Sequence, residues 1–237
     1  MQKARKIYEG KTKILYETDI SDYLIQYFKD DATAFNAAKR GAIPRKGSIN
    51  NKISAKVFEY LESCGVPTHF VKLVNDREMI VKRATIFPIE VVIRNRAAGS
   101  ICRRMALTEG HRFDCSLLEY CYKDDALCDP LINDYHIRAL KLASDEDMAR
   151  IKELAFYINN LLTKFFLRRD LELIDFKLEF GKFKGKVILA DEISPDTCRL
   201  WEVHTGEHLD KDRFRQDLGQ VEEAYQEVLS RVSGRAH

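Results

Sequence analysis

The sequence predicts an α+β fold in two lobes. Strand-favouring runs crowd into the first 85 or so residues, while the two longest helical patterns come later, at 145–168 and 211–231, without strict strand–helix alternation. The chain has 237 residues, 45% hydrophobic and 10% aromatic, which suffices for a sizeable core in one or two domains. A soft boundary near residue 85 divides a strand-rich lobe, 1–85, from a larger lobe, 86–237.

Residues 5–29 read as short strands around a turn at Glu9-Gly10, with Ile14, Leu15 and Tyr16 and then Tyr23, Leu24, Ile25, Tyr27 and Phe28 supplying β-favouring side chains. Residues 38–48 hold two glycines and a proline and predict a loop. A helix is expected from about Ser48, because Ile49, Ile53, Val57, Phe58 and Leu61 recur at helical spacing until Gly65 and Pro67. Strands at 68–74 and 78–84 flank the turn pair Asn75-Asp76. A strand at 89–95 follows Pro88, and a helix opens near Ser100. Residues 119–136 are acidic, contain Pro130 and predict irregular structure. Ser144 is the expected N-cap of the helix at 145–168, whose apolar face runs from Met148 and Ile151 to Phe165. Strands at 171–180 and 186–193 then enclose a turn between Gly181 and Gly185, and an amphipathic helix at 211–231 closes the chain.

Lys and Arg number 39 against 37 Asp and Glu, a net charge of +2 with 32% of residues charged. That balance argues against a strongly basic nucleic-acid binder, and the apolar content argues against disorder. No run approaches the ~20 apolar residues that span a bilayer. The start, Met1 to Lys6, lacks the apolar stretch of a secretory signal. The six cysteines form no Cys-x-x-Cys pair, so reduced thiols in a cytoplasmic protein are expected. Neither a His-Glu-x-x-His zinc motif nor a Gly-x-Ser-x-Gly elbow is present.

Five segments carry candidate chemistry; one of them, Tyr122 to Pro130, is a charged loop that reads either as a lid or as a solvated surface loop. Gly10-Lys11-Thr12-Lys13 imitates the end of a phosphate-binding loop, but Arg5 stands where the first glycine belongs and Ile14-Leu15-Tyr16 reads as strand. A glycine turn with two lysines can still cover phosphates; the alternative is a solvated hairpin. In Ile174 to Gly181, strand periodicity puts Asp175, Lys177 and Glu179 on one face and Ile174, Phe176, Leu178 and Phe180 on the other. The next strand brings Asp191 to the same neighbourhood. Two carboxylates beside a lysine suit a magnesium–phosphate site, and the alternative is a surface strand of alternating charge. Glu90, Val92 and Arg94 share a face that leads to Gly99-Ser100, where backbone N–H groups, a hydroxyl and an Arg make a plausible phosphate site. Arg199, beside Trp201 and after the turn Ser194-Pro195-Asp196, is a possible anion contact.

Two stretches, FPIEVVIRNRAAGS at 87–100 and LIDFKLEFG at 173–181, are highly specific, and with Tyr8 to Lys13 and Leu209 to Arg215 they make the chain resemble the SAICAR synthetase family, of the bacterial single-function type, over nearly its whole length. The resemblance implies a kinase-like, ATP-grasp-like arrangement, with ATP between a strand-rich lobe and a larger one. It implies an ATP-dependent ligase of purine biosynthesis that joins L-aspartate to the carboxylate of carboxyaminoimidazole ribotide (CAIR). On the family's pattern, Lys11 and Lys13 would hold ATP phosphates and Lys82 would lie in the connection beside adenine. Glu179 and Asp191 would bind Mg2+. Arg94, Ser100 and Arg199 would grip the ribotide phosphate, Glu90 and Asp175 would line the imidazole side, and Lys177 would stand between nucleotide and acyl centre. Lys123 and Asp129 would belong to a lid near aspartate. A homodimer is the family's common assembly. Glu202, Cys128 and Val203-His204-Thr205 depart from the pattern beside these motifs. The lack of a His-Arg-Asp loop and an Asp-Phe-Gly triplet counts against the competing reading as a protein kinase. The near-neutral charge counts against an RNA-binding module.

Overall fold

Antiparallel pairing builds two large sheets, joined by one short crossing, and a small two-stranded one. The computed structural model describes residues 1–34 and 39–234; residue 38, first of the expected loop, and 235–237, last of the expected second lobe, lie outside the described residues.

The chain opens with β1 (Lys3–Glu9), β2 (Lys13–Thr18) and β3 (Tyr23–Phe28), follows with a hairpin of β4 (Asp31–Ala34) and β5 (Lys39–Ala42), and then forms α1 (Lys46–Ser63), β6 (Phe70–Asn75) and β7 (Glu78–Lys82). The first sheet has the order β1-β2-β3-β7-β6. Its β1–β2 turn is closed where the Gly10 N–H donates to the Lys13 carbonyl at 2.8 Å. Helix α1 buries the expected stripe, Ile49, Ile53, Val57, Phe58 and Leu61, against this sheet. It ends in a paired turn: Val66 N–H reaches the Leu61 carbonyl and Gly65 N–H the Glu62 carbonyl, with Gly65 in the left-handed region at φ 82°.

Only Arg83 and Ala84 separate β7 from β8 (Thr85–Arg96), the first strand of the second sheet. There follow α2 (Ser100–Met105), β9 (Arg112–Tyr122), β10 (Leu131–Ile132), α3 (Asp134–Ala139), α4 (Asp145–Leu167), β11 (Leu171–Phe183), β12 (Lys186–Ala190), β13 (Cys198–Glu202), α5 (Asp212–Arg215) and α6 (Val221–Ser233). The order is β10-β9-β8-β11-β12, with β13 also on β11. Strand β11 is the spine. It pairs with β8 on one side; on the other, Leu171 to Phe176 pair with β13 and Glu179 to Phe183 with β12. Helix α4 covers this sheet with Ile151, Leu154, Ile158, Leu162 and Phe166, and Ser144 caps it by accepting from Asp147 N–H at 3.1 Å. The two sheets are stitched where His69 N–H donates to the Leu189 carbonyl at 2.7 Å. Phe28 of β3 and Phe58 of α1 share one apolar cluster with Phe176 and Phe180 of β11.

Several expectations are corrected. The loop at 38–48 contains β5 and the start of α1, because Gly41 pairs with Ala32 in a hairpin and the Phe214 ring packs where a larger residue would bear a Cβ. The segment 119–136 is ordered: the end of β9, a single 3-10 turn at Asp125–Leu127, β10 and the first half of α3 occupy it. Its acidic groups are local partners, Asp124 accepting from Ala126 and Leu127 N–H and Glu119 from Arg94 and Arg104. The helix at 211–231 breaks into α5 and α6, since Asp217, Gly219 and Gln220 all take positive φ. Strand β13 carried no alternating pattern long enough to announce it, and β8 begins before Pro88 rather than after it, beside an irregularity in its pairing with β11.

Candidate active site

A cavity of about 420 Å³ opens between the glycine turn that joins β1 to β2 and the charged face of β8 and β11. It is lined by Lys11, Lys13, Glu90, Arg94, Lys123, Asp129, Asp175, Lys177, Glu179, Asp191 and Arg199, which are all but two of the side chains the sequence singles out. The alternating face of β11 is therefore no solvated surface: Asp175 and Glu179 are only 3% and 4% exposed, while Phe176, Leu178 and Phe180 anchor the opposite face in the core.

Strand register explains the convergence. Glu179 stands opposite Glu90 on β8 and opposite Ala190 on β12, so Asp191 emerges one residue beyond. Asp191 adopts φ 62°, a conformation that Asp and Asn tolerate better than most residues. Its carboxylate pairs with Lys13, which also reaches Glu192 at 2.8 Å. Lys177 bridges Glu90 at 2.5 Å and Glu179 at 3.0 Å, and Lys123 closes on the other oxygen of Glu179. Burial alone would drive these lysines towards neutrality, but the facing carboxylates prevail and hold Lys13 and Lys177 well above the usual ammonium range. Burial likewise opposes the charge on Asp191, yet Lys13, Lys177 and Lys123 keep its carboxyl well below the ordinary carboxylate range. Glu90 moves the other way: its burial outweighs Lys177 and raises it.

At the far end, Arg94 donates to Asp175 at 2.5 Å and to Glu119 at 2.7 Å. Arg199 donates to both oxygens of Asp175, at 3.0 and 2.8 Å, and to Asp212 at 2.6 Å. One buried carboxylate thus holds two guanidinium groups side by side, a fork suited to an oxyanion such as phosphate. Gly99 makes this possible. It has φ 65°, and a Cβ there would collide with the Arg199 guanidinium. The Ser100 hydroxyl stands 3.4 Å from Arg94 but is exposed and does not line the cavity. Lys82 is not brought to the cavity either. Its ammonium donates to the Thr68 carbonyl at 2.8 Å, and its N–H to the His69 carbonyl.

Glu179 and Asp191 are the residues that could hold a divalent cation. Three lysine ammonium groups converge on them, which marks the spot as one that demands positive charge. The donors are hard carboxylate oxygens, and Mg2+ takes one or two of these with the balance from water and phosphate. Among the described residues no group of three or more His, Cys, Asp or Glu side chains is placed to hold a metal ion. Sequence reasoning missed Glu192, Asp196, Lys211 and Arg215 as cavity residues. The turn Ser194-Pro195-Asp196 was the one signal for Asp196; the other three stand in no periodic pattern that points inward.

Comparison with known proteins agrees with this geometry. A model of the family described as SAICAR synthetase matches residues 6–232. The phosphoribosylaminoimidazole-succinocarboxamide synthase of Caldanaerobacter subterraneus subsp. tengcongensis is 60% identical over 98% of this chain and 99% of its own. The solved structure of the synthase from Ehrlichia chaffeensis superposes with a TM-score of 0.95 at 44% identity, covering 98% of this chain and 100% of that one. A SAICAR synthetase solved in complex with ADP gives 0.93 at 43% identity, covering 97% and 98%. With the family model spanning nearly the whole chain and close relatives matched end to end, the chain belongs to the SAICAR synthetase family.

Proposed function

We infer that the chain is an ATP-dependent ligase that joins L-aspartate to the carboxylate of CAIR, giving SAICAR, ADP and phosphate in purine biosynthesis. The observation that carries this reading is the pairing, within one cavity, of a lysine-bearing glycine turn next to Glu179 and Asp191 with a two-arginine cradle built on Asp175. The relative solved with ADP supports a nucleotide in this fold.

A carboxylate is a poor acyl electrophile because its oxygen leaves badly. In the reaction we propose, a CAIR carboxylate oxygen attacks the γ-phosphorus of ATP and ADP departs. The aspartate amine then attacks the acyl phosphate, phosphate leaves with that oxygen, and the amine gives up a proton. Lys11 and Lys13 bind the ATP phosphates, and Lys177 offsets charge at the acyl carboxylate. Arg94, Arg199 and Ser100 orient the ribotide by its phosphate, with Glu90 and Asp175 beside the imidazole. Glu179 and Asp191 would hold Mg2+, which when bound neutralises phosphate charge. Lys82 belongs, through its backbone, to the adenine side, and Lys123 and Asp129 to a lid over aspartate. Such fixed charges act strongly where water is excluded. The lobe 1–85 would thus take the nucleotide and 86–237 the ribotide, aspartate and metal. Six free cysteines fit a cytoplasmic setting; among the described residues no helix is long and apolar enough to cross a membrane. A homodimer belongs to the same proposal, and light scattering reads it directly.

ADP release tests the reaction. Turnover is expected only with ATP, magnesium, CAIR and aspartate together; ADP formed without aspartate would point instead to a kinase or an uncoupled ATPase. Arg199→Ala is expected to raise the KM for the ribotide roughly tenfold to a hundredfold with little change for ATP, the worth of a charge-assisted contact. A shifted ATP dependence with an unchanged ribotide dependence would remove Arg199 from the phosphate cradle.

A further inference from the structure

Gln26 lies between Leu24 and Phe28 on the face of β3 turned to the apolar cluster, and it is only 4% exposed. A buried amide costs free energy unless it is hydrogen-bonded. Its one side-chain hydrogen bond among the described residues runs from Nε2 to the Asp191 carbonyl, at 3.3 Å. His69 points to the same place. It is equally buried, its ring meets Phe58 edge-on at 5.2 Å between centroids, and it makes a hydrogen bond with the Asp191 backbone. Its Nε2 is buried without a partner among the described residues, which leaves Nδ1 as the donor to that carbonyl.

Asp191 needs such support. Ala190 is the last residue of β12 to pair with β11, so the ladder fixes the chain only up to the residue before Asp191. Asp191 then adopts φ 62°, which sterics disfavour for a residue with a side chain. A rotation of that peptide would re-aim the carboxylate. The two donors are themselves rigid. Gln26 is paired on both sides, with Leu15 on β2 and with Met79 on β7. His69 N–H donates to the Leu189 carbonyl at 2.7 Å, and the His69 carbonyl accepts from Lys82 N–H at 2.6 Å. Neither residue lines the cavity, so both act from behind the site.

We propose that Gln26 and His69 are positioning residues that hold the Asp191 peptide so that its carboxylate stands beside Glu179, ready for a divalent cation. This rests on the assignment of Glu179 and Asp191 to Mg2+ above. Lys13, from the same sheet as Gln26, pairs with the Asp191 carboxylate. The first sheet therefore grips Asp191 twice, at its side chain and at its backbone. The metal site becomes a joint product of the two large sheets, with the carboxylates on one and the groups that aim Asp191 on or beside the other.

The test is ADP affinity by titration calorimetry, with Mg2+ and with EDTA, in Gln26→Met and His69→Phe, which keep the bulk and remove the donor, and in His69→Gln, which keeps a donor. Mg2+ is expected to tighten ADP binding to wild type. That gain should shrink about threefold to tenfold in Gln26→Met and His69→Phe, the worth of one neutral hydrogen bond, while affinity in EDTA stays within about twofold. His69→Gln should keep the wild-type gain. In the two donorless variants kcat should fall by a similar factor, with the KM values for CAIR and aspartate unchanged. A full Mg2+ gain in both of them, whatever their melting temperatures, overturns the proposal, and so does an equal loss of affinity with and without Mg2+. Should Gln26→Met not fold, His69→Phe decides alone. A wild type whose ADP binding ignores Mg2+ removes the metal assignment and the proposal with it. A wild type that binds ADP more tightly with Mg2+ but makes no product removes the reaction assignment only, and the variants still decide the positioning.

Discussion

Asp191→Asn is expected to cut turnover by roughly 10²–10³-fold while the fold survives, the scale of several kcal/mol of lost transition-state stabilisation. The argument for survival is local. Asp191 sits at φ 62°, where Asn is tolerated and a bulky or β-branched residue would be strained. Lys13 keeps Glu192 at 2.8 Å, so no buried ammonium is orphaned. What is lost is one anionic oxygen donor beside Glu179 and the charge that holds Lys13 in line with the glycine turn. The kcat of the variant, measured with melting temperature on the same sample, checks both halves. Wild-type kcat would take Asp191 out of the metal and phosphate machinery.

Lys46→Met is expected to have the largest effect on stability. Lys46 and Asp196 form an ion pair whose side chains are 1% and 3% exposed. Asp196 also accepts from Tyr225 on α6, so this one carboxylate ties the start of α1, the turn before β13 and the last helix together. Removing one partner of a buried pair leaves an uncompensated charge and costs about 3–5 kcal/mol. For a chain of this size that corresponds to a melting temperature lower by roughly 6–20 °C. The same pair predicts a pH dependence. Burial would raise the Asp196 carboxyl, but Lys211 and Lys46, with hydrogen bonds from Lys46 and Tyr225, hold it well below its ordinary value. A carboxyl depressed in the fold stabilises fully above its unfolded value, near about 3.9, and that stabilisation is lost as pH falls through the folded value. Lys46→Met should therefore lose less stability than wild type between neutral and acid pH. Parallel acid profiles would mean that the pair does not hold Asp196 ionised.

How far the site was legible depended on whether chemistry and local pattern coincided. On β11 they did: the same alternation that buries Phe176, Leu178 and Phe180 also turns Asp175, Lys177 and Glu179 to one side, so both were readable from spacing. Helices α1 and α4 were readable for the same reason, because a long apolar stripe at helical spacing has one good solution. The hairpin of β4 and β5 was not. Its Gly41 reads as a breaker until Phe214, far along the chain, is seen to pack over it. The break between α5 and α6 was hidden because Phe214, Leu218, Val221, Tyr225 and Leu229 keep helical spacing across it, although Leu218 ends up 48% exposed.

By itself the sequence determined the α+β class, the charged face of β11, the glycine turn with its lysines and the family. These follow from periodicity and short motifs, which act over a few residues. Tertiary structure alone decided which charges meet. Lys13 and Asp191, Lys177 and Glu90, Lys46 and Asp196 are each far apart in sequence. Their pairing depends on strand register and on the crossing between the two sheets. The near-neutral total charge gave no hint that one cation, Lys211, would be left in the cavity without a close partner. A sum over the chain carries no distances, and electrostatic energy depends on distance and on burial.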